Sequence, residues 1–137
     1  MNILLPVFTL FLLTVVCAFR LGYLRYTAVR RGEVDARYFR LYRDYEEPEK
    51  LRVHSRHLVN LFETPVLFYI IAIIALVTGQ GGLLPVVLAW IYVALRYAHS
   101  WVHLTSNNVL SRFRLFALSM FVLVVLWLTV FTGLLLR

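Results

Sequence analysis

Three short runs hold the residues able to do chemistry. Arg56, Asn60 and Glu63 stand at i, i+4 and i+7, a spacing that puts them on one face of a helix. Arg96, His99 and His103 share a face in the same way, with Ser106 or Asn107 one turn further on. Arg112 follows Ser111 in the third run, Ser111-Arg112-Phe113-Arg114. The runs therefore offer cations, one carboxylate, an amide and two imidazoles.

Each run admits a structural and a chemical reading. Glu63 pairs with a cation across a helix interface, or it lines a pocket for a charged ligand. Pro65 removes one backbone hydrogen bond just beyond it and favours a kink there. The His99-x3-His103 pair supplies two metal ligands, and a protein metal site needs three or four. Glu63 is the one further candidate within the apolar segments, so no metal site is expected. The two imidazoles then either donate hydrogen bonds in a cavity or pack at an interface. Ser111 reads as a helix N-cap. That puts Arg112 in the first turn, where the helix dipole disfavours a cation. Arg112 points at an anion in the interior, or it reaches outward to lipid phosphate.

These runs sit in an unusually apolar chain. Of 137 residues, 61% are hydrophobic and only 15% charged, and the mean hydropathy is +0.78. A soluble domain carries about 25% charged residues, so the composition argues for a membrane protein and against disorder. The single cysteine, Cys17, excludes an internal disulfide framework and any CxxC motif. Residues 3–19, 64–95 and 115–136 carry no charge. The middle stretch is too long for one span, and Thr78-Gly79-Gln80-Gly81-Gly82 divides it. The expected architecture is an all-α, four-transmembrane-helix bundle, one domain over 1–137. Its spans run roughly 3–28, 53–78, 83–105 and 112–135, with a polar loop over 29–52. The first span lacks a charged n-region and a small-x-small cleavage site, so it reads as a true span and not a signal peptide.

The net charge of +7 is confined to one side. Arg20, Arg25, Arg30, Arg31, Arg37, Arg40, Arg43, Lys50, Arg52 and Arg56 flank or fill the first connection, and Arg112 and Arg114 flank the third. The second connection holds none. The positive-inside tendency puts the basic side in the cytoplasm and both termini outside. The first loop also interleaves Glu33, Asp35, Asp44, Glu46, Glu47 and Glu49 with its cations. Contact with the lipid bilayer is thus a better reading than nucleic-acid binding. Tyr38, Phe39, Tyr42 and Tyr45 suggest an ordered interfacial loop or short helix, interrupted at Pro48. Arg20 and Arg25, with Gly22 between them, turn either into the bundle or outward. Tyr23 and Tyr26 read as interfacial anchors. All the polar stripes fall at the cytoplasmic ends of the helices. Their complement is a small zwitterionic, net anionic ligand, such as a peptide with two carboxylates and an ammonium. Glutathione is one candidate that charge alone does not select.

Arg56-x3-Asn60-x2-Glu63 with Pro65, Arg96-x2-His99, and Arg112 in a four-helix chain resemble the MAPEG superfamily, the membrane-associated proteins of eicosanoid and glutathione metabolism. The run from Asn60 to Tyr69 resembles its short bacterial members, which implies a bacterial inner-membrane protein. The resemblance implies a homotrimer with glutathione, as cosubstrate or ligand, held between subunits. It implies glutathione contacts from Arg25, Arg56, Asn60, Glu63, His99 and His103, and a catalytic Arg112 that helps hold the thiolate. The chain departs from the pattern at Val59, where the family carries Arg, at His103, where it carries Tyr, and at Phe113 and Phe116, where one branch carries Ser and Tyr. Activation of a thiol by a hydroxyl is therefore unsupported. Two readings follow. One is a glutathione transferase-like enzyme acting on lipophilic electrophiles. The other is a catalytically degenerate binding module or accessory subunit of a larger membrane complex.

Overall fold

The computed structural model describes residues 2–42 and 47–136. Met1, Arg43, Asp44, Tyr45, Glu46 and Arg137 lie outside the described residues. Four long helices and one short one follow in order: α1 (Leu4–Arg30), α2 (Tyr38–Leu41), α3 (Glu49–Val77), α4 (Leu83–Leu104) and α5 (Val109–Leu135). The four long helices are each long and apolar enough to cross a membrane. At 1.5 Å per residue, a helix of 27 residues is about 40 Å long. This exceeds the ~30 Å hydrocarbon layer. One end of the bundle gathers the C-termini of α1 and α4, the N-termini of α3 and α5, and α2. We call it the loop end.

The helix ends explain how the chain turns. Beyond α1, Gly32 takes a left-handed φ of 70°. The Gly32 amide donates to the Val29 carbonyl and the Glu33 amide to Ala28, each at 3.0 Å. This is a Schellman termination, which needs a residue free of Cβ strain at that position. It swings Val34 back to pack with Leu21, Ala28 and Leu51. The α3–α4 turn uses Gly79 in the same way, at φ 69°.

Two starts differ from the sequence expectation. α3 begins at Glu49, with Pro48 as its extended N-cap, so the polar loop is shorter than 29–52. Proline preorganises an entry into a helix as readily as it ends one. α5 begins at Val109, capped by Asn108 and not by Ser111. The Asn108 side chain accepts from the Ser111 amide at 2.9 Å. Arg112 still lies at the start of the helix.

The half of the bundle away from the loop end is packed without charge. Leu10, Phe68, Ala75, Ala89, Leu126 and Val130 are all fully buried there. Small residues such as Ala72, Ala75 and Ala89 let the backbones approach, as helix pairs in lipid require. The Phe68 and Tyr92 rings stack at 4.8 Å. Gln80 from the α3–α4 turn donates to the Gly133 carbonyl at 2.9 Å, tying that turn to the end of α5. α4 is the most enclosed helix. Large apolar side chains such as Phe8, Phe19, Phe121 and Phe131 are exposed around the outside. That is the surface a lipid-embedded bundle presents.

Lipid is as apolar as leucine, so truncating a buried leucine loses packing and little transfer energy. Leu126→Ala is expected to destabilise the bundle by about 1–3 kcal/mol. Leu128→Ala, on the exposed face, is expected to change little. Thermal unfolding of the two variants in the same detergent checks this, and equal losses would contradict the packing described.

Candidate functional site

The buried polar groups cluster toward the loop end, on the faces of α3, α4 and α5 that meet. α4 contributes Arg96, His99 and His103, together with Ser100, all at most 3% exposed. Their i, i+3, i+7 spacing forms one stripe, and the central position of α4 turns that stripe inward. α3 contributes His57, at 1% exposed, and the half-buried Asn60. α5 contributes the half-buried Arg112 and Phe116.

Arg96 is the largest fully buried side chain. Its Nη2 donates to Asn60 Oδ1 at 2.5 Å and to the Asn60 carbonyl at 3.3 Å. Its Cζ lies 6.0 Å from the centre of the Phe116 ring, within cation–π range. Among the described residues its Nε and Nη1 have no hydrogen-bond partner. His99 donates through Nδ1 to the Arg112 carbonyl at 3.2 Å, which leaves Nε2 buried without a partner. His57 Nδ1 faces His103 Nδ1 at 3.3 Å. Arg112 donates from Nη1 to Asn107 Oδ1 at 2.7 Å, and its Nε is unpartnered. A site with this many unused donors is built to receive acceptors.

A cavity of about 360 Å³ opens beside this cluster, between α1, α3 and the α4–α5 turn. Arg20, Lys50, His54, His103 and Asn107 are among its walls. His103 belongs to both the cluster and the cavity. Arg20 Nε donates to His54 Nε2 at 3.1 Å, and His54 Nδ1 donates to the Lys50 carbonyl at 2.8 Å. Each ring nitrogen of His54 therefore has a defined role.

The remaining residues of the sequence pattern lie elsewhere. Glu63 is exposed on the outer side of α3, at the midpoint of that helix, and makes no hydrogen bond or ion pair among the described residues. Its exposed neighbours are apolar, Val59, Phe62 and Val66. Arg56 is also exposed. The Arg56–Asn60–Glu63 face is thus split. Asn60 sits on its shoulder and reaches Arg96, while the other two point away. Glu63 is not the buried carboxylate that its depth in the sequence suggests. Arg25 turns to the α1–α3 seam. It donates to Ser55 Oγ at 3.3 Å and lies 5.4 Å from the Phe39 ring, away from the imidazoles. Ser55 in turn donates to Glu47 at 3.2 Å.

Sequence reasoning missed His57, His54 and the role of Arg20. A signal for His57 was present. Leu61, Phe68, Ala72 and Ala75 form the apolar stripe of α3, and His57 continues it by one turn.

A family model for the MAPEG family matches residues 3–132. The chain belongs to the MAPEG family. It is an integral, multi-pass membrane protein built as that family's four-helix bundle, within a family of eicosanoid and glutathione metabolism. No curated protein and no solved structure matches it.

The Arg96–Asn60 contact gives a stability prediction. Asn60→Ala removes the side-chain acceptor of a buried guanidinium and is expected to cost about 2–3 kcal/mol. Arg96→Met in the Asn60→Ala background is expected to recover most of that loss. A double-mutant cycle on thermal unfolding checks it, and additive losses would contradict the coupling.

Proposed function

We propose that this MAPEG protein binds glutathione at the loop end, between copies of itself in a homotrimer, and adds its thiol to lipophilic electrophiles that enter from the bilayer. The observation that carries the reading is the exposed Glu63, two helical turns beyond Arg56 on the lipid-facing side of α3. A charged side chain inside an apolar span is costly, about 2.5–3.5 kcal/mol at the bilayer centre on insertion scales. Such a carboxylate calls for a partner outside its own chain. A neighbouring copy and a ligand ammonium both meet that need. The unused donor of the half-buried Arg112 suits the ligand's thiolate.

In this reading the half-buried Asn60 holds the peptide and is itself fixed from within by the enclosed Arg96, with His103 at the cavity wall and His99 behind it. Glu63 and Arg56 close the site from the adjacent subunit. Arg25 braces α1 and α3 and contributes less directly. Arg112 lowers the thiol pKa, since a nearby cation favours the thiolate. The thiolate then attacks the electrophile, helped by proximity and by charge stabilisation. The ring of Phe116 lies against Arg96 and His99, so a hydroxyl does not assist. The basic loop orients this end to the cytoplasm of a bacterial cell. The same Phe116 supports a second reading, in which the site binds without turnover and the protein serves a larger membrane complex.

Calorimetric titration with glutathione is expected to show saturable binding, weakened about tenfold by Glu63→Gln. Arg112→Ala is expected to lower conjugation of a model electrophile by about 10²-fold with a much smaller effect on binding. Equal losses in both would contradict a thiolate-specific role. Binding without conjugation in the wild type would favour the second reading.

A further inference from the structure

His57, His99 and His103 are buried together, and one nitrogen from each lies within 4.8 Å of the others. The sequence pattern counted two of these rings and so expected no metal. The third comes from the buried side of α3, whose exposed side bears Arg56 and Glu63.

The spacing suits a shared ion. Bonds of about 2.0–2.1 Å to a tetrahedral ion put ligand nitrogens about 3.3–3.4 Å apart. His57 Nδ1 and His103 Nδ1 are 3.3 Å apart, the separation of two ligands on one ion, and share a long N–H···N hydrogen bond without one. Three rings bound to one tetrahedral ion have centroids roughly 5 Å apart. The observed separations are 4.9 Å for His57–His103, 5.7 Å for His99–His103 and 6.2 Å for His57–His99, so His57 and His103 stand at ligand spacing and His99 draws in on binding. His99 has a ring nitrogen to offer. Its Nδ1 donates to the Arg112 carbonyl, and its Nε2 is buried and unpartnered. A backbone carbonyl on the far ring nitrogen is the usual support for a metal-binding imidazole.

We propose that His57, His99 and His103 form a three-nitrogen site for a late first-row divalent ion of the zinc class, with an anion as the fourth ligand. Neutral imidazoles suit zinc, nickel and copper and do not suit magnesium or calcium. The anion follows from charge. Arg96 and Arg112 stand beside the rings, and a divalent ion with only neutral ligands would be repelled there. A hydroxide or a thiolate offsets that repulsion and has both guanidinium groups as neighbours. His103 also lines the cavity, which gives the ion and its fourth ligand a way in. The site needs no glutathione, so it stands or falls apart from the proposed function.

The test uses the full chain, purified in detergent, stripped with a chelator and titrated with Co²⁺ in thiol-free buffer. One equivalent per chain with the intense visible bands of four-coordinate cobalt, displaced by Zn²⁺, is expected. His57→Ala and His99→Gln are each expected to weaken uptake by about 10–100-fold. His54→Ala, which removes the one histidine outside the cluster, should leave uptake intact. Circular dichroism and elution volume establish that each variant is folded. His99→Gln keeps most of the side-chain volume and decides the matter if His57→Ala fails to fold. Absence of stoichiometric uptake by the wild type overturns the proposal. So does uptake that survives in a folded His99→Gln, or uptake that His54→Ala abolishes.

Discussion

A guanidinium sealed inside a helical bundle has few ways to be satisfied, and the loop-end half of this molecule is arranged around that constraint. Arg96 lies on the most enclosed helix, and its hydrogen-bond acceptors among the described residues are both on Asn60. Because helices in lipid gain little from hiding apolar surface, such bonds do more than solvate a charge. The Arg96–Asn60 bonds set α4 against α3. The bond from His99 to the Arg112 carbonyl sets α4 against α5. Away from the loop end, alanine-lined packing and the Gln80–Gly133 bond do the corresponding work without charge.

The polar groups divide into an inner and an outer set. The inner set comprises Arg96, His57, His99, His103 and the inward side of Asn60, with unused donors and ring nitrogens left over. The outer set, Glu63 and Arg56, faces away from the chain that carries it. In the proposed reading, the unpaired donors and the exposed carboxylate at mid-helix are complementary halves of one arrangement. The proposed trimer joins them across a subunit boundary. A single chain then holds the anion-receiving half of one site and the ammonium-receiving half of the next.

Much of the scaffold was legible in the sequence because its causes are local. Charge-free runs marked the spans, and the glycines at 79, 81 and 82 marked the turn between α3 and α4. The α4 stripe was legible from spacing alone, since Arg96, His99 and His103 do share one buried face. The α3 stripe was harder to read. Spacing shows which residues share a face but not which way that face points. The apolar stripe through Leu61, Phe68 and Ala75 settles the direction, turning His57 inward and Glu63 outward. The starts of α3 and α5 were blurred for another reason. Charged residues do not end a helix, and Asn108 competes with Ser111 as a cap.

The most direct test of the account is native mass spectrometry of the protein released intact from membranes in a gentle detergent. If the loop-end polar groups form a ligand site completed by a second copy, the expected species is a homotrimer that retains a small thiol peptide. Glu63→Lys should shift it toward ligand-free and dissociated forms. A ligand-free monomer as the sole wild-type species, or a stoichiometric assembly with unrelated chains, would contradict the account.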